Sequence, residues 1–138
     1  MLEFKRMLLV DDDKFDRELI CDSIIRAGIS NPVDVVCDGE EAIEYLKNEN
    51  NVKPILVLLD IKMPRMNGIE VLKAIKADDE LMDIPVVMLT SSKEDVDVYE
   101  SYKHNANGYV CKPVEFSDFQ EVVKRIGLYW CLSNERAY

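Results

Sequence analysis

Several polar residues of this chain follow directly after short apolar runs, at points where a β-strand would end. Asp11 and Asp12 follow one such run, and Asp60, Thr90 and Lys112 follow three others. Because the carboxyl ends of parallel strands meet at one edge of a sheet, side chains from several strands can converge there. The sequence therefore predicts a polar site built from these five residues.

The chemistry of such a site follows from its charges. Clustered carboxylates raise one another's pKa unless a cation lies among them. Mg2+ suits an oxygen-rich set, because it takes one or two carboxylates and leaves room for phosphate oxygens. A carboxylate on such a metal can attack a phosphoryl group and form an acyl phosphate. Lys112, the Thr90 hydroxyl and the metal would then bind the transferred oxygens.

Each of these features alone also has an ordinary structural explanation. Three consecutive acids after a strand often form a solvated helix cap, and a Thr-Ser-Ser segment before a helix commonly caps it. A Lys before Pro is usually an exposed residue in a turn. Their joint occurrence at successive strand ends favours a common site over these separate explanations.

The elements that would position these residues alternate regularly along the chain. Short apolar or β-branched runs predict strands at 7–10, 33–37, 55–59, 85–89 and 108–111. Between them, apolar residues recur at three- and four-residue spacing, which is typical of amphipathic helices. Five βα units with short connections predict an α/β fold, a doubly wound five-stranded parallel sheet of the flavodoxin-like (βα)5 kind.

Residues with capping preferences mark the predicted helix ends. Asp13 is expected to cap the first helix, which Gly28 ends. The spacing of a capping box marks the other starts: Asp38 with Glu41, Asn67 with Glu70, Ser91 with Glu94, and Ser117 with Gln120. The last helix is expected to run past Trp130.

Size, composition and charge limit the classes of function. We expect one domain over residues 1–138, with its core at about 7–130. A net charge of −10 argues against a nucleic-acid face, which needs clustered Lys and Arg. We expect no membrane span, since no apolar run approaches the roughly 20 residues required. With no signal-peptide core and scattered cysteines, the expected location is cytoplasmic.

Taken together, the strand-end segments resemble the receiver domain of bacterial two-component response regulators. The resemblance covers about 7–130 and is carried by LLVDD at 8–12, LLDIKMP at 58–64, NG at 67–68, VMLTS at 87–91 and GYVCKP at 108–113. It implies a phosphoacceptor signalling protein rather than an enzyme. Such a protein takes its phosphoryl group from a sensor histidine kinase with the help of Mg2+.

The resemblance implies roles at the acidic pocket. Asp60 would be the phosphoacceptor and Lys112 the lysine that binds the phosphoryl group. Asp12 would be a direct metal ligand, Asp11 would act through water, and the backbone carbonyl of Lys62 would complete the protein's share. The triple Asp leaves a one-residue ambiguity in the acidic pair, and we choose 11 and 12 because the residue after them is better used as a helix cap.

The resemblance also implies a switch and two positions that tune its lifetime. Thr90 would be the switch hydroxyl, and Tyr109 would turn inward with it on activation. Lys62 and Ser92 each lie two residues after a site residue, at positions that in receivers flank the path of the hydrolytic water. Both are therefore expected to set the rate at which the acyl phosphate is lost.

The end of the chain carries more apolar residues than one buried helix stripe needs. The additional residues are Leu128, Tyr129, Cys131 and Leu132. Either this segment folds back on its own domain or it forms an interface, and we favour a homodimer through the fourth helix, fifth strand and fifth helix. The Tyr-Trp pair near the end also looks like single-domain regulators that partner phytochrome-type histidine kinases.

Two other function classes remain as alternatives. A phosphatase of the haloacid-dehalogenase kind also uses a strand-end Asp, but it needs a second Asp two residues later, where this chain has Lys62. A phosphate-independent binding module of the same fold would be expected to lack part of the acid, Thr and Lys set. The lone His104 is expected on the surface, so the phosphoryl group must come from another molecule.

Overall fold

Strands and helices alternate strictly in the computed structural model, which describes residues 5–91 and 95–128. The elements are β1 (Met7–Val10), α1 (Lys14–Arg26), β2 (Val33–Val36), α2 (Gly39–Lys47), β3 (Leu56–Asp60), α3 (Gly68–Ala77), β4 (Val86–Thr90), α4 (Asp95–Lys103), β5 (Gly108–Cys111) and α5 (Phe116–Arg125). The predicted strands agree with these bounds to within one residue at each end.

The five strands form one parallel sheet in the order β2-β1-β3-β4-β5. Every residue of β1, β3 and β4 is buried, which explains why their sequences are unbroken apolar runs up to the strand ends. The predicted doubly wound, flavodoxin-like fold is confirmed. The connection after β1 leads to one side of the sheet and the connection after β3 to the other, so a crevice opens at the carboxyl ends of these two strands.

The helices cover both faces of the sheet. On one face, α1 and α5 bury Ile24, Phe119 and Val123 against alternate strand residues such as Leu9 and Leu58. On the other face, the core is formed by α2 and α3, whose buried residues include Leu46, Leu72 and Ile75. Helix α4 packs beside α3 and β5. No helix in the described ranges has the length and apolar character needed to cross a membrane.

Three of the predicted helix starts can be compared with the structure in detail. Asp13 caps α1, its carboxylate accepting a hydrogen bond from the Asp16 N–H at 3.1 Å. At α3 the predicted capping box between Asn67 and Glu70 is complete. At α2 the cap Asp38 is confirmed, but the Glu41 carboxylate accepts from the N–H of the preceding residue, 37, instead of closing the box.

The predicted start and end of the last helix are wrong. The N-cap of α5 is Glu115, which makes no side-chain cap hydrogen bond, and Ser117 lies inside the helix. The Gln120 side chain instead donates a hydrogen bond to the Ala27 carbonyl at 3.3 Å. Packing against α1 therefore fixes this start, not local capping. The helix ends at Arg125, earlier than expected.

The residues after α5 turn back toward the core. Gly127 has a φ of 77°, a left-handed conformation that favours glycine just beyond a helix end. Leu128 is then buried with the α1–α5 side of the core, so it does not extend an exposed apolar surface as expected. The remaining predictions for the end of the chain, at Tyr129, Trp130, Cys131 and Leu132, lie outside the described residues, as do Ser92 and the partner of Ser91, Glu94.

Candidate functional site

Three carboxylates meet at the crevice between β1 and β3. Asp11 and Asp12 follow β1 and Asp60 ends β3, and one oxygen of each lies within 4.8 Å of the others. Asp11 and Asp60 are buried, whereas Asp12 is exposed. The predicted strand ends thus come together into an acidic pocket with two carboxylates on its floor and one at its mouth.

Lys112 brings the positive charge of the site from the other side. Its Nζ lies 2.7 Å from Asp11 Oδ2 and 3.3 Å from Asp60 Oδ1. The backbone N–H of Lys112 donates to the Thr90 carbonyl at 2.8 Å, which anchors the residue beside the end of β4. The peptide bond between Lys112 and Pro113 is cis. The ammonium is thus held among the carboxylates of the pocket.

A fourth carboxylate, which the sequence reasoning missed, also contacts this ammonium. Asp16 Oδ2 lies 2.9 Å from Lys112 Nζ and accepts a hydrogen bond from it. Asp16 lies in the first turn of α1, three residues after the cap Asp13. The spacing from the cap could have predicted this contact. The first turn of a helix that begins at the crevice must lie beside the pocket, and Asp16 belongs to that turn.

The backbone around Asp11 is fixed by several hydrogen bonds. Its Oδ1 accepts from the Asp13 N–H at 2.9 Å, its N–H donates to the Val36 carbonyl at 3.2 Å, and its carbonyl accepts from Arg17 Nη1 at 2.9 Å. Its Oδ2 is fully buried and pairs with the Lys112 ammonium at 2.7 Å. One carboxylate oxygen of Asp11 is thus held by its own backbone turn and the other by the lysine.

The electrostatics of the pocket act most strongly on Asp60. Burial raises the pKa of its carboxyl group, Lys112 lowers it, and the neighbouring Asp11 and Asp12 raise it again, so that the pKa is about 6. Burial alone would lower the pKa of Lys112, but its bonds to Asp11 and Asp16 outweigh this and raise the pKa above its ordinary value. One ammonium does not balance the acids of the pocket.

The donor set of the pocket fits a hard divalent cation. Asp11, Asp12 and Asp60 offer carboxylate oxygens close enough to share one ion, and two of these carboxylates are buried. Mg2+ prefers oxygen ligands and needs only one or two carboxylates beside water and phosphate. The residues present therefore suit Mg2+ or a similar ion.

The loop after β3 is folded tightly against the phosphoacceptor candidate. The Gly68 N–H donates to the Ile61 carbonyl at 2.9 Å. A Cβ atom on Gly68 would lie 2.1 Å from the Asp60 carbonyl oxygen, so only glycine fits this approach. Arg65 in the same loop has a φ of 64°, and its guanidinium pairs with Asp38 at 3.1 Å.

Thr90 and Tyr109 lie on one face of the sheet. Thr90 is the fully buried last residue of β4, and Tyr109 in β5 is half-buried and pairs with Met88. Because side chains alternate along a strand, Met88 and Thr90 point to the same face as Tyr109. The tyrosine ring therefore belongs to the α2–α3 side of the core, one strand away from the threonine hydroxyl.

Lys62 does not point at the acidic pocket. Its Nζ lies 3.3 Å from Asp97 Oδ2 on α4. Asp97 is buried, and nothing in the sequence indicated it, because the pairing depends on where α4 packs. His104 follows α4 and precedes β5, so it lies at the amino edge of the sheet, opposite the pocket, where it pairs with Glu100 at 3.3 Å.

Comparison with known proteins agrees with this geometry. A family model described as the response regulator receiver domain matches residues 7–124. The response regulator Rcp1 of Synechocystis sp. is 35% identical over 130 residues, which cover 91% of this chain and 88% of Rcp1. A solved structure of Rcp1 in its Mn(2+)-bound form covers 91% of this chain and 94% of that one, with a TM-score of 0.75 and 35% identity.

Two further solved structures are similar over nearly the whole chain. The bacteriophytochrome response regulator AtBRR has a TM-score of 0.85 and 41% identity, covering 97% of this chain and 100% of that one. The phosphorylated cyanobacterial phytochrome response regulator RcpA has a TM-score of 0.78 and 36% identity, covering 94% and 95%. With the fold, the acidic pocket and its lysine in place, this chain belongs to the response regulator receiver family.

Proposed function

We propose that this chain is a single-domain response regulator that accepts a phosphoryl group on Asp60 from a histidine kinase. The observation that supports this most strongly is the position of the Asp60 carboxylate. It lies beside two further acids within 4.8 Å, and Lys112 Nζ lies 3.3 Å from its Oδ1. This arrangement offers a nucleophile, a cation site and a fixed positive charge in one crevice.

The proposed reaction is the transfer of a phosphoryl group from a phosphohistidine to the carboxylate. An Asp60 oxygen attacks phosphorus, the new O–P bond forms, and the P–N bond breaks with its electron pair going to the imidazole, which then takes a proton. The ammonium of Lys112 binds one transferred oxygen and the Thr90 hydroxyl another. The Asp60 pKa of about 6 leaves the carboxylate ionised, and so nucleophilic, at neutral pH.

The proposed metal is Mg2+, with Asp12 and Asp60 as direct ligands. Asp11 would act through a water molecule, and the backbone carbonyl of Lys62 would complete the protein's share. When bound, the ion would neutralise the carboxylates and bind a phosphoryl oxygen. The acidic pocket and the Mn(2+)-bound form of Rcp1 support this proposal.

Phosphorylation would then change the face formed by α4, β5 and α5. Thr90 would bind the phosphoryl group and Tyr109 would turn inward behind it, so that the signal passes from the pocket to this face. Exposed apolar side chains on α4, Val96 at 66% and Tyr99 at 64%, suit contact with a second copy of the chain. We therefore propose a homodimer through this face, which sedimentation would test with and without phosphorylation: a strict monomer in both states would contradict it.

The proposed phosphodonor is a phytochrome-type histidine kinase, because phytochrome response regulators are among the proteins to which the chain is most similar. The proposal places the protein in the cytoplasm, where kinases obtain their phosphoryl groups from ATP. Lys62 and Ser92 are proposed to set the lifetime of the acyl phosphate. Loss of the phosphoryl group would be assisted by the protein itself, without a separate enzyme activity.

A small-molecule phosphodonor with Mg2+ tests the central proposal without the kinase. Intact mass and a phosphate-affinity gel should show one base-labile phosphoryl group on the wild type. The Asp60→Asn variant should remain unmodified, whereas Asp22→Asn, which removes an exposed acid paired with Arg26 on α1, should be modified as the wild type is. No modification of the wild type would instead favour a phosphate-independent binding module.

A further inference from the structure

A second buried carboxylate site lies outside the acidic pocket, on α4. The Asp97 side chain is 11% exposed, and Lys62 Nζ lies 3.3 Å from its Oδ2. That oxygen is fully buried and accepts no hydrogen bond from the residues that the structure describes. A buried carboxylate in this situation depends on a nearby cation, and Lys62 provides one.

Lys62 can reach in two directions from a fixed backbone. Its neighbour Ile61 is held by hydrogen bonds to the Leu89 carbonyl at 3.2 Å and from the Gly68 N–H at 2.9 Å. The Lys62 side chain, by contrast, is 58% exposed, and a lysine stem is long and flexible. The residue stands two positions after Asp60, so its ammonium can turn from α4 toward a group attached there without movement of the loop.

We propose that Asp97 is a positioning residue that holds the Lys62 ammonium on α4 in the resting protein and competes for it with the phosphoryl group. The inference rests on the proposed function of Asp60. A phosphoryl group carries up to two negative charges and three acceptor oxygens, so it is a strong competitor for a nearby ammonium. The Lys62–Asp97 pair thereby connects the state of Asp60 to α4 by a route separate from Thr90 and Tyr109.

Two consequences follow from this competition. An ammonium shared between Asp97 and the phosphoryl group shields the phosphoryl group from water only part of the time, so Asp97 shortens the lifetime of the acyl phosphate. When Lys62 does turn to the phosphoryl group, the Asp97 carboxylate is left buried without this cation, which is unfavourable. A movement of α4 that returns Asp97 to water would remove this unfavourable burial. Such a movement would also shift the exposed Val96 and Tyr99, which lie on the same helix.

Decay of the phosphorylated protein tests this competition. The variants are Lys62→Gln, Asp97→Asn and the double variant, each phosphorylated with a small-molecule donor and followed after donor removal. Lys62→Gln should decay faster than the wild type, by about threefold, and Asp97→Asn slower by a similar factor, since one charge contact of modest strength is lost in each case. The double variant should decay like Lys62→Gln, because Asp97 acts only through the lysine.

The matched control is Glu100→Gln. This substitution also removes an acid from α4, but the partner of that acid is His104. Its decay should equal that of the wild type. Asp97→Glu, which keeps the charge, should decay more like the wild type than Asp97→Asn does, and circular dichroism should show all variants folded. Wild-type decay in Asp97→Asn, or an Asp97→Asn effect that persists in the Lys62→Gln background, would overturn the inference. In that case normal uptake at Asp60 would leave the proposed function standing, whereas no uptake by the wild type would overturn both.

Discussion

Asp60, in the acidic pocket, should destabilise the folded protein. Replacing Asp60 should therefore raise the free energy of unfolding by a measurable amount. Its pKa is about 6 in the folded protein against an ordinary value of 3.8. A carboxyl group whose pKa is raised by folding binds its proton more tightly in the folded state. Ionised Asp60 therefore lowers the free energy of unfolding. The reduction has its full size above about pH 6 and becomes smaller as the pH falls toward 4.

The size of the effect follows from the two pKa values. One pKa unit corresponds to about 1.4 kcal/mol, so the cost of ionised Asp60 is about 3 kcal/mol at pH 7.5 or so. At about pH 4.5 the folded-state group is mostly protonated while the unfolded-state group is mostly ionised, and about 1 kcal/mol remains. Asp60→Asn keeps the shape of the side chain and removes the charge, so it should recover these amounts.

Urea denaturation followed by circular dichroism, with a chelator present, measures this directly. We expect the free energy of unfolding of Asp60→Asn to exceed that of the wild type by about 3 kcal/mol near pH 7.5 and by about 1 kcal/mol near pH 4.5. Asp22→Asn, at an exposed ion pair on α1, should differ from the wild type by no more than about 0.5 kcal/mol at either pH. A variant no more stable than the wild type, or an equal gain at both pH values, would show that ionised Asp60 does not destabilise the folded protein in this way.

Three further predictions concern the same pocket. Mg2+ at about a hundred times its Kd should raise the free energy of unfolding of the wild type by about 2.7 kcal/mol in urea titrations, and much less when Asp60 is replaced by Asn; equal gains would place the metal elsewhere. Asp16→Asn should speed phosphorylation by a small-molecule donor by roughly two- to fivefold, because Lys112 loses a carboxylate 2.9 Å away that competes with the phosphoryl group. An initial rate at or below that of the wild type would contradict this. Gly68→Ala should lower the free energy of unfolding by at least about 2–3 kcal/mol, since its Cβ would lie 2.1 Å from the Asp60 carbonyl oxygen. Gly127→Ala is the control, with open space around its Cβ and only its φ of 77° as a cost, about 1 kcal/mol.

The features that the sequence predicted are those set by local pattern. The strands β1, β3 and β4 are buried on both faces, and burial on both faces requires the unbroken apolar runs that made them visible. Parallel order then places the residues after those runs at one edge. The caps at Asp13 and Asn67 were visible for a similar reason, because each cap side chain accepts a hydrogen bond from the first turn of its own helix.

The features that the sequence did not predict depend on how elements pack together. The Ser117 to Gln120 spacing suggested a helix start with its cap at 117. Packing of Phe119 and Val123 on the sheet and the hydrogen bond from Gln120 to α1 instead accompany a start two residues earlier, with its cap at 115. The apolar pattern suggested a longer helix, although Gly127 after a basic last turn was a stop signal.

Two contacts of this site were not predicted from any local sequence pattern. Asp16 meets Lys112 across 96 residues of sequence, and Lys62 meets Asp97 on α4. Each pairing depends on the position of a helix relative to the sheet edge, which a single sequence does not state. The family resemblance did not indicate either pairing, because Asp16 and Asp97 lie outside the sequence segments on which that resemblance was based.

The most direct test of the central claim is to locate the phosphoryl group on the chain. Wild-type protein treated with a small-molecule phosphodonor and Mg2+ would be reduced with borohydride, which converts an acyl phosphate to the corresponding alcohol, and then digested and sequenced by mass spectrometry. Residue 60 should be found as homoserine in place of Asp60, and only when both donor and metal were present. Reduction at Asp11, Asp12 or another residue, or none at all despite phosphate uptake, would contradict it.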